Sequence, residues 1–509
     1  MYLAPLQRSV YWRLALLFLL NPLIFFLDIF TDAIFATSCR HSNLTVTNGS
    51  LLPGADSDQP WPAEGDADWW MKNGIQNSAC GWVDWLSCSQ TLFMVGMLLG
   101  SLFGGAISDR YGKRPLMLVC LCADSICALL PAMLPQPLLY LGLRCVTGVC
   151  FCCLSTSSFS LAVEWAHPEA RLWPSAFLPC CFSIGTMATA LLAWLSPTLT
   201  KLHLSMSLPQ LACLPLFFSI PESPRWLLLK KRMDILERYR NNSPEDKHFL
   251  DLVLDSAWSI LQKPNEVQEK RLPGDLASCD YFPFKHPTVL LRLLIMSYLS
   301  AATALTYYGI CMNIGSFSVD VFVAQFFSGL SEIPCLLLPL VRMGRRPLTM
   351  LTLFLSGAAC FLTLLLSRYN TEPKLVLSVA LLGKLCILGA SFITVLYSIE
   401  LFPTVIRQRC VSLVNLSFRI GCLANSLLFT HPHGMISVAA LVVYSSGPII
   451  GSGLCLMLPE TSGTQLPDSV EDCDRQSLPI LPACVPSVRE KDSLHPERSE
   501  AKTPHTGLL

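Results

Sequence analysis

The chain has 509 residues, 52% of them hydrophobic and only 14% charged, with 36 basic side chains balanced by 36 acidic ones. That composition excludes an ordinary soluble globular domain and points to a membrane protein whose charges inform by their placement, since they sum to zero. No nucleic-acid partner is expected; the lipid bilayer and a small solute are.

Runs of 18 or more residues with few charges recur, each long enough to cross a hydrocarbon core of roughly 30 Å. Twelve are expected as helices, at about 11–36, 86–108, 115–133, 137–163, 173–196, 203–220, 287–312, 318–341, 347–367, 375–401, 410–430 and 435–458. Nothing before residue 11 resembles a cleavable signal, so the first run is expected to act as its own insertion signal. Between the first two runs, residues 37–85 hold Asp56, Asp58, Glu64, Asp66, Asp68 and Asp84 against Arg40 and Lys72. This segment also carries N-glycosylation sequons at Asn43 and Asn48 and is expected outside the cell. Cys39 and Cys80 within it are candidates for a disulfide whose pairing the sequence leaves open. The cysteines inside spans, as in "VCFCCLS" at 149–155, are expected to behave as small apolar residues.

Further along, the short loops at 109–115, 342–346 and 407–409 are basic, and residues 221–286 contain eleven Lys or Arg. By the positive-inside rule these face the cytoplasm, with both termini, at a plasma membrane. The tail 459–509 is rich in Pro, Ser and charge and is expected to stay disordered. The layout is then a six-helix half at 1–220, a linker at 221–286, a second six-helix half at 287–458 and the tail.

Internal repetition supports this division. "DRYGKRP" at 109–115 is echoed by "VRMGRRP" at 341–347, "EWAHPEAR" at 164–171 by "ELFPTVIR" at 400–407, and "PES" at 221–223 by "PET" at 459–461. The copies occur in one order at offsets of 232, 236 and 238 residues.

With "QTLFMVGMLLGSLFGGAISDRYGKRP" (90–115), "PESPRWLL" (221–228), "YYGI" (307–310), "GRRP" (344–347) and "LPETSGTQLPDSVED" (458–472), the sequence resembles the major facilitator superfamily. Within it, the chain looks like the solute carrier branch of organic cation, anion and zwitterion transporters, over about residues 86–475. The resemblance implies an all-α polytopic protein of twelve transmembrane helices in two halves, moving a small organic ion by alternating access as uniport or exchange. No phosphate-cradling glycine loop, metal-ligand spacing or nucleophile with a paired base is found, so neither an enzyme nor a cofactor or metal is expected. A transporter-like receptor or an organic cation carrier is the alternative.

An ionisable group inside a span is a functional candidate by default. Asp28 and Asp32 in the first span, Glu332, Lys384 and Arg419 stand out. A cavity-facing guanidinium at Arg419 holds a carboxylate by two parallel hydrogen bonds. The resemblance points the same way, because anion and carnitine-type carriers have Arg at this point where cation carriers have an acid. Glu332 attracts the cationic end of a zwitterion or takes up a proton, or else serves a gating ion pair. Anion carriers that resemble the chain place Lys where Cys335 stands. Tyr307 and Tyr308 offer aromatic faces to substrate. Asp28 and Asp32 are expected near the outer mouth, and Lys384 either lines the site or reaches headgroups from a helix end.

The cytoplasmic motifs read as a gate: Asp109, Arg110, Gly112, Lys113 and Arg114 with Glu164 and Arg171 in one half, and Gly344, Arg345 and Arg346 with Glu400 and Arg407 in the other. Each Glu–Arg pair spans about two helical turns, so pairing is expected with the charged loop of the same half. Because Val341 stands where an acid would match Asp109, the N-terminal clasp is expected to be the stronger. "PESPRWLLLKKR" (221–232) is expected as a capped amphipathic helix at the membrane surface.

Overall fold

The computed structural model describes residues 4–34, 83–134, 136–166, 172–242, 244–251, 287–312, 314, 319–334, 344–369, 372–403, 406–428 and 438–461. Fourteen helices run α1 (Pro5–Phe25), α2 (Val83–Tyr111), α3 (Lys113–Met133), α4 (Pro137–Glu164), α5 (Leu172–Trp194), α6 (Leu199–Phe217), α7 (Pro224–Leu229), α8 (Met233–Arg240), α9 (Pro287–Met312), α10 (Val321–Glu332), α11 (Arg345–Arg368), α12 (Pro373–Leu401), α13 (Arg407–Leu428) and α14 (Val438–Cys455). Among the described residues there is no strand.

Each of the twelve expected spans is met by one of α1–α6 or α9–α14. Among the described residues, nine helices are long and apolar enough to cross a membrane. Leu102, Val119, Ile126, Leu191, Phe354 and Ile450 remain 50–67% exposed on the outside of the bundle, which suits side chains whose solvent is lipid. Proline opens α1, α4, α7 and α12 within the first turn, where its missing N–H costs no hydrogen bond. Inside α1, Pro22 has the opposite effect: the helix breaks at Phe26 and resumes over 27–34.

The packing repeats. In the first half α3 packs on α4, α1 on α5, α3 on α6 and α2 on α4; in the second α11 packs on α12, α9 on α13, α11 on α14 and α10 on α12. Shifting each helix of one list to its counterpart gives the other. The halves meet where α2 packs on α13 and α5 on α10, and the same shift exchanges these two contacts. A pseudo-two-fold axis therefore runs between the halves, the geometric counterpart of the sequence repeat.

Small residues permit the closest approach, between α2 and α4. A Cβ added at Gly100 would stand 2.8 Å from the Val149 carbonyl oxygen and 2.9 Å from Cys152 Cβ, so only glycine lets the backbones come this near. Facing the centre, an aromatic layer joins the halves: Phe25 packs 5.6 Å from Phe93, 5.1 Å from Phe151 and 5.9 Å from Tyr308, centroid to centroid. Toward the end of the bundle remote from the charged loops, Phe30 stacks on Phe322 at 5.6 Å.

Candidate functional site

At the end of the bundle that carries the charged loops, the three echoed motifs of each half assemble into one clasp. In the first half, Lys113 Nζ lies 2.5 Å from Glu164 Oε1. The Ser223 hydroxyl donates to the other oxygen of Glu164. Glu222 accepts the backbone N–H groups of Lys113 (3.2 Å), Arg114 (3.1 Å) and Ser223 (2.9 Å). In the second half, Arg345 Nε lies 3.3 Å from Glu400, and Thr461 Oγ1 donates to Glu400 at 2.7 Å. Glu460 accepts from the N–H groups of Arg345 (2.8 Å), Arg346 (3.1 Å) and Thr461 (3.0 Å). Arg114 and Arg346 complete the match by donating to the carbonyls of Phe218 and Leu456, each at 2.6 Å.

The first N–H groups of a helix have no intrahelical acceptor. Here each half supplies one from a carboxylate that follows its sixth helix, at the positive end of the helix dipole. Gly112 is essential to that approach, with φ +102 and a position where a Cβ would lie 2.6 Å from Glu222 Oε2. Burial raises the Glu222 carboxyl above its ordinary range, while its N–H donors and the Lys113 charge pull it back down.

Several gate expectations need correction. Asp109 and Arg110 are exposed; Asp109 takes part through its carbonyl, which accepts from the Trp226 indole at 3.1 Å, and Arg110 lies over the Tyr111 ring at 5.4 Å. Arg407 donates to the Phe402 carbonyl at 3.1 Å, closing the preceding turn and leaving Glu400 to Arg345. The acid opposite the basic loop is Glu164 or Glu400, present in both copies, so the contrast between Asp109 and Val341 gives no ground for ranking the clasps. Arg171, Val341, Cys335, Cys39, Cys80, Asn43 and Asn48 lie outside the described residues.

At mid-depth, α9, α10 and α12 bring together four of the five expected substrate residues, and α13 adds the fifth beside them. Lys384 sits inside α12, fully buried rather than near a helix end, with Nζ 2.7 Å from Glu332 Oε1 on α10. It also donates to the hydroxyl and the carbonyl of Ser328, the latter at 3.3 Å, and lies against Cys311. The Tyr307 hydroxyl donates to Glu332 Oε1 at 2.7 Å. Ser183 Oγ, on α5 of the other half, donates to Glu332 Oε2 at 2.9 Å. The Tyr308 ring lies 5.3 Å from that of Tyr307 and 6.2 Å from Phe418.

Arg419 follows Phe418 on α13. Its guanidinium lies 5.9 Å from the Phe418 ring, and Nη1 is 3.8 Å from the Met97 sulfur of α2. Among the described residues it meets no carboxylate, in contrast to Lys113, Arg144, Arg345 and Lys384, each of which has one.

A second buried group lies in the first half. Arg144 of α4 pairs with Asp28, its Nε 3.1 Å from Oδ2, and Nη1 reaches the Ile24 carbonyl beside the break in α1 at 3.2 Å. Tyr140 donates to Asp28 Oδ1 at 2.6 Å, and the Phe93 ring lies 4.6 Å from the guanidinium. Asp28 is thus held in an ion pair inside the half, while Asp32 is exposed one turn on. Arg144 was absent from the expected set, as was buried Asp124, which accepts from Gln210 at 3.0 Å. The search for ionisable residues within spans reaches both, in "YLGLRCVTG" and "CLCADSICA". No cluster of His, Cys, Asp or Glu among the described residues is placed to hold a metal ion.

Comparison with known proteins agrees with this architecture. Residues 72–469 match the family described as sugar (and other) transporter. Human solute carrier family 22 member 13 is 30% identical over 422 residues, covering 80% of this chain and 72% of that protein. Mouse solute carrier family 22 member 6 is 27% identical, covering 79% and 73%, and organic anion transporter 3 of Oryctolagus cuniculus 28%, covering 81% and 77%. Among solved structures, the inward-open xylose transporter XylE from E. coli superposes with a TM-score of 0.59 at 14% identity, covering 90% of this chain and 98% of that one. The human organic anion transporter MFSD10 (TETRAN) gives 0.54 at 17%, covering 89% and 100%.

Proposed function

This chain belongs to the sugar (and other) transporter family, in the solute carrier family 22 branch of the major facilitator superfamily, and on that footing we propose that it carries small organic anions or zwitterions. It is a multi-pass membrane transporter and not an enzyme. The observation that carries the anionic reading is Arg419, a cation at mid-depth between the halves that meets no carboxylate among the described residues. A charge in that setting is costly unless something pairs with it. A substrate carboxylate fits the guanidinium by two parallel hydrogen bonds. Tyr307 and Tyr308 supply aromatic faces for the organic part, and the same faces attract the ammonium of a zwitterion. Relatives named as organic anion transporters accord with this substrate class.

Transport proceeds by alternating access, α1–α6 rocking against α9–α14 about the α2–α13 and α5–α10 contacts. The clasps at Lys113, Glu164 and Glu222 and at Arg345, Glu400 and Glu460 each join helices of one half. Their part in gating is to keep each half rigid while the two move apart. The basic loops support a reading in which the charged end faces the cytoplasm and residues 37–85, with the sequons at Asn43 and Asn48, face the outside of a plasma membrane.

The test is uptake by purified protein in proteoliposomes, with urate, a dicarboxylate, carnitine and tetraethylammonium as probes. Wild type should accumulate an anion or zwitterion saturably, and Arg419→Ala should lower that flux by about tenfold or more while incorporation stays normal. Anion flux unchanged in the variant removes Arg419 from the site. Preference for tetraethylammonium in wild type overturns the substrate class.

A further inference from the structure

Glu332 and Lys384 consume one another. Glu332 Oε1 receives Lys384 and Tyr307, Oε2 receives Ser183, and Lys384 also meets Ser328, Cys311 and the Tyr307 ring, none of them a carboxylate. Lys384 is 0% and Glu332 3% exposed, so neither charge is dispersed by water. The pair is in contact with the substrate faces: Tyr307 binds Glu332 through its hydroxyl, its ring packs on Tyr308, and Tyr308 packs on Phe418, the neighbour of Arg419. A net charge on either partner would act across a medium of low effective dielectric, where unit charges are felt far more strongly than in water.

From this geometry we propose that Lys384 is a specificity-determining residue: by neutralising Glu332 it leaves Arg419 as the net charge that a substrate meets. The inference rests on the anionic reading above and deepens it. Without Lys384, Glu332 is an uncompensated acid beside Tyr307, and the site changes from cationic to mixed in charge. Anions are then repelled by Glu332 and organic cations gain a partner, a change of specificity made without altering Arg419. Ser183 belongs to the opposite half, so the neutral pair sits at the seam through which a substrate passes.

The experiment measures urate and tetraethylammonium uptake by full-length protein in proteoliposomes and takes their ratio. Lys384→Met should lower the urate-to-tetraethylammonium ratio by about tenfold or more. The double variant Glu332→Gln/Lys384→Met, which removes both charges together, should restore a ratio close to wild type. Glu332→Gln alone should hold the ratio or raise it, since it frees a second cation. A ratio in Lys384→Met equal to wild type overturns the proposal. So does a double variant as shifted as the single one, which would place Lys384 itself against the anion. Should Lys384→Met not fold, Lys384→Gln takes its place and is read by the same criteria. A wild-type preference that Arg419→Ala does not alter defeats the anionic reading as well. Anion selectivity that depends on Arg419 but ignores Lys384→Met defeats this inference alone.

Discussion

Replacing Glu222 by glutamine keeps the shape of the side chain that closes the start of α3 and removes its charge. The carboxylate accepts three backbone N–H groups, at 3.2, 3.1 and 2.9 Å, and the residue is 6% exposed, so water cannot take its place. A hydrogen bond to a charged group contributes about 1.5–3 kcal/mol. Glutamine retains one acceptor oxygen and turns an NH2 group toward at least one of the donors. The expected loss is therefore about 2–4 kcal/mol, one bond removed and the others weakened. For folding units of the size of one half this lowers the midpoint by about 4–16 °C. Scanning fluorimetry of purified protein in detergent or nanodiscs measures it. Glu460→Gln should act in the same direction but less, because Glu460 also accepts three N–H groups yet is only partly buried. Asp109→Asn should shift the midpoint by about 1 °C or less, as substitution of an exposed side chain usually does. If Asp109→Asn were the more damaging, the reasoning from N–H satisfaction would be wrong and the density of loop charge would be what matters.

Arg144→Ala leaves Asp28 buried beside Tyr140 without its cation, and a loss of about 3–5 kcal/mol is expected in the same assay. Asp28→Asn with Arg144→Gln should cost less than either charge-stranding single change, which a double-mutant cycle reads directly. Gly112→Ala places a Cβ at φ +102 and 2.6 Å from Glu222 Oε2, and should lose about 1–3 kcal/mol. The equivalent Gly344→Ala meets a similar contact, 2.5 Å from Glu460 Oε2, without the left-handed backbone, so a smaller loss is expected.

Helix number, the two halves and the pairing of Glu164 and Glu400 with the basic loop of their own half were legible because each rests on a pattern that occurs in duplicate or on long apolar runs. Which atoms meet was less so. In a sequence Asp109 stands next to the basic residues and invites pairing, whereas Glu222, the residue that receives the N–H groups, lies 109 positions from Lys113. The "PES" and "PET" echo matched both positions between the halves without showing that the start of a helix was their partner. For Lys384 the sequence left two readings open for a related reason. Linear position puts it in the first half of α12, and only the packing of α10 on α12 brings Glu332 to it. Arg144 answers the same test that found Arg419, and besides Asp28 it holds the Ile24 carbonyl beside the break after Pro22. The value of Arg419 grew in the structure, since its having no carboxylate neighbour among the described residues is a property of space.

The carboxylates of Glu222 and Glu460 have a consequence for biosynthesis. Each is made 109 or 115 residues after the helix start that it closes. At about 5–20 residues per second, a ribosome leaves the first N–H groups of α3 without their final acceptor for about 5–20 s, until α6 has emerged. A half is therefore sealed by its last residues and in one step, so a nascent chain halted between α3 and α6 presents an unfinished helix end that quality control can distinguish from a completed half.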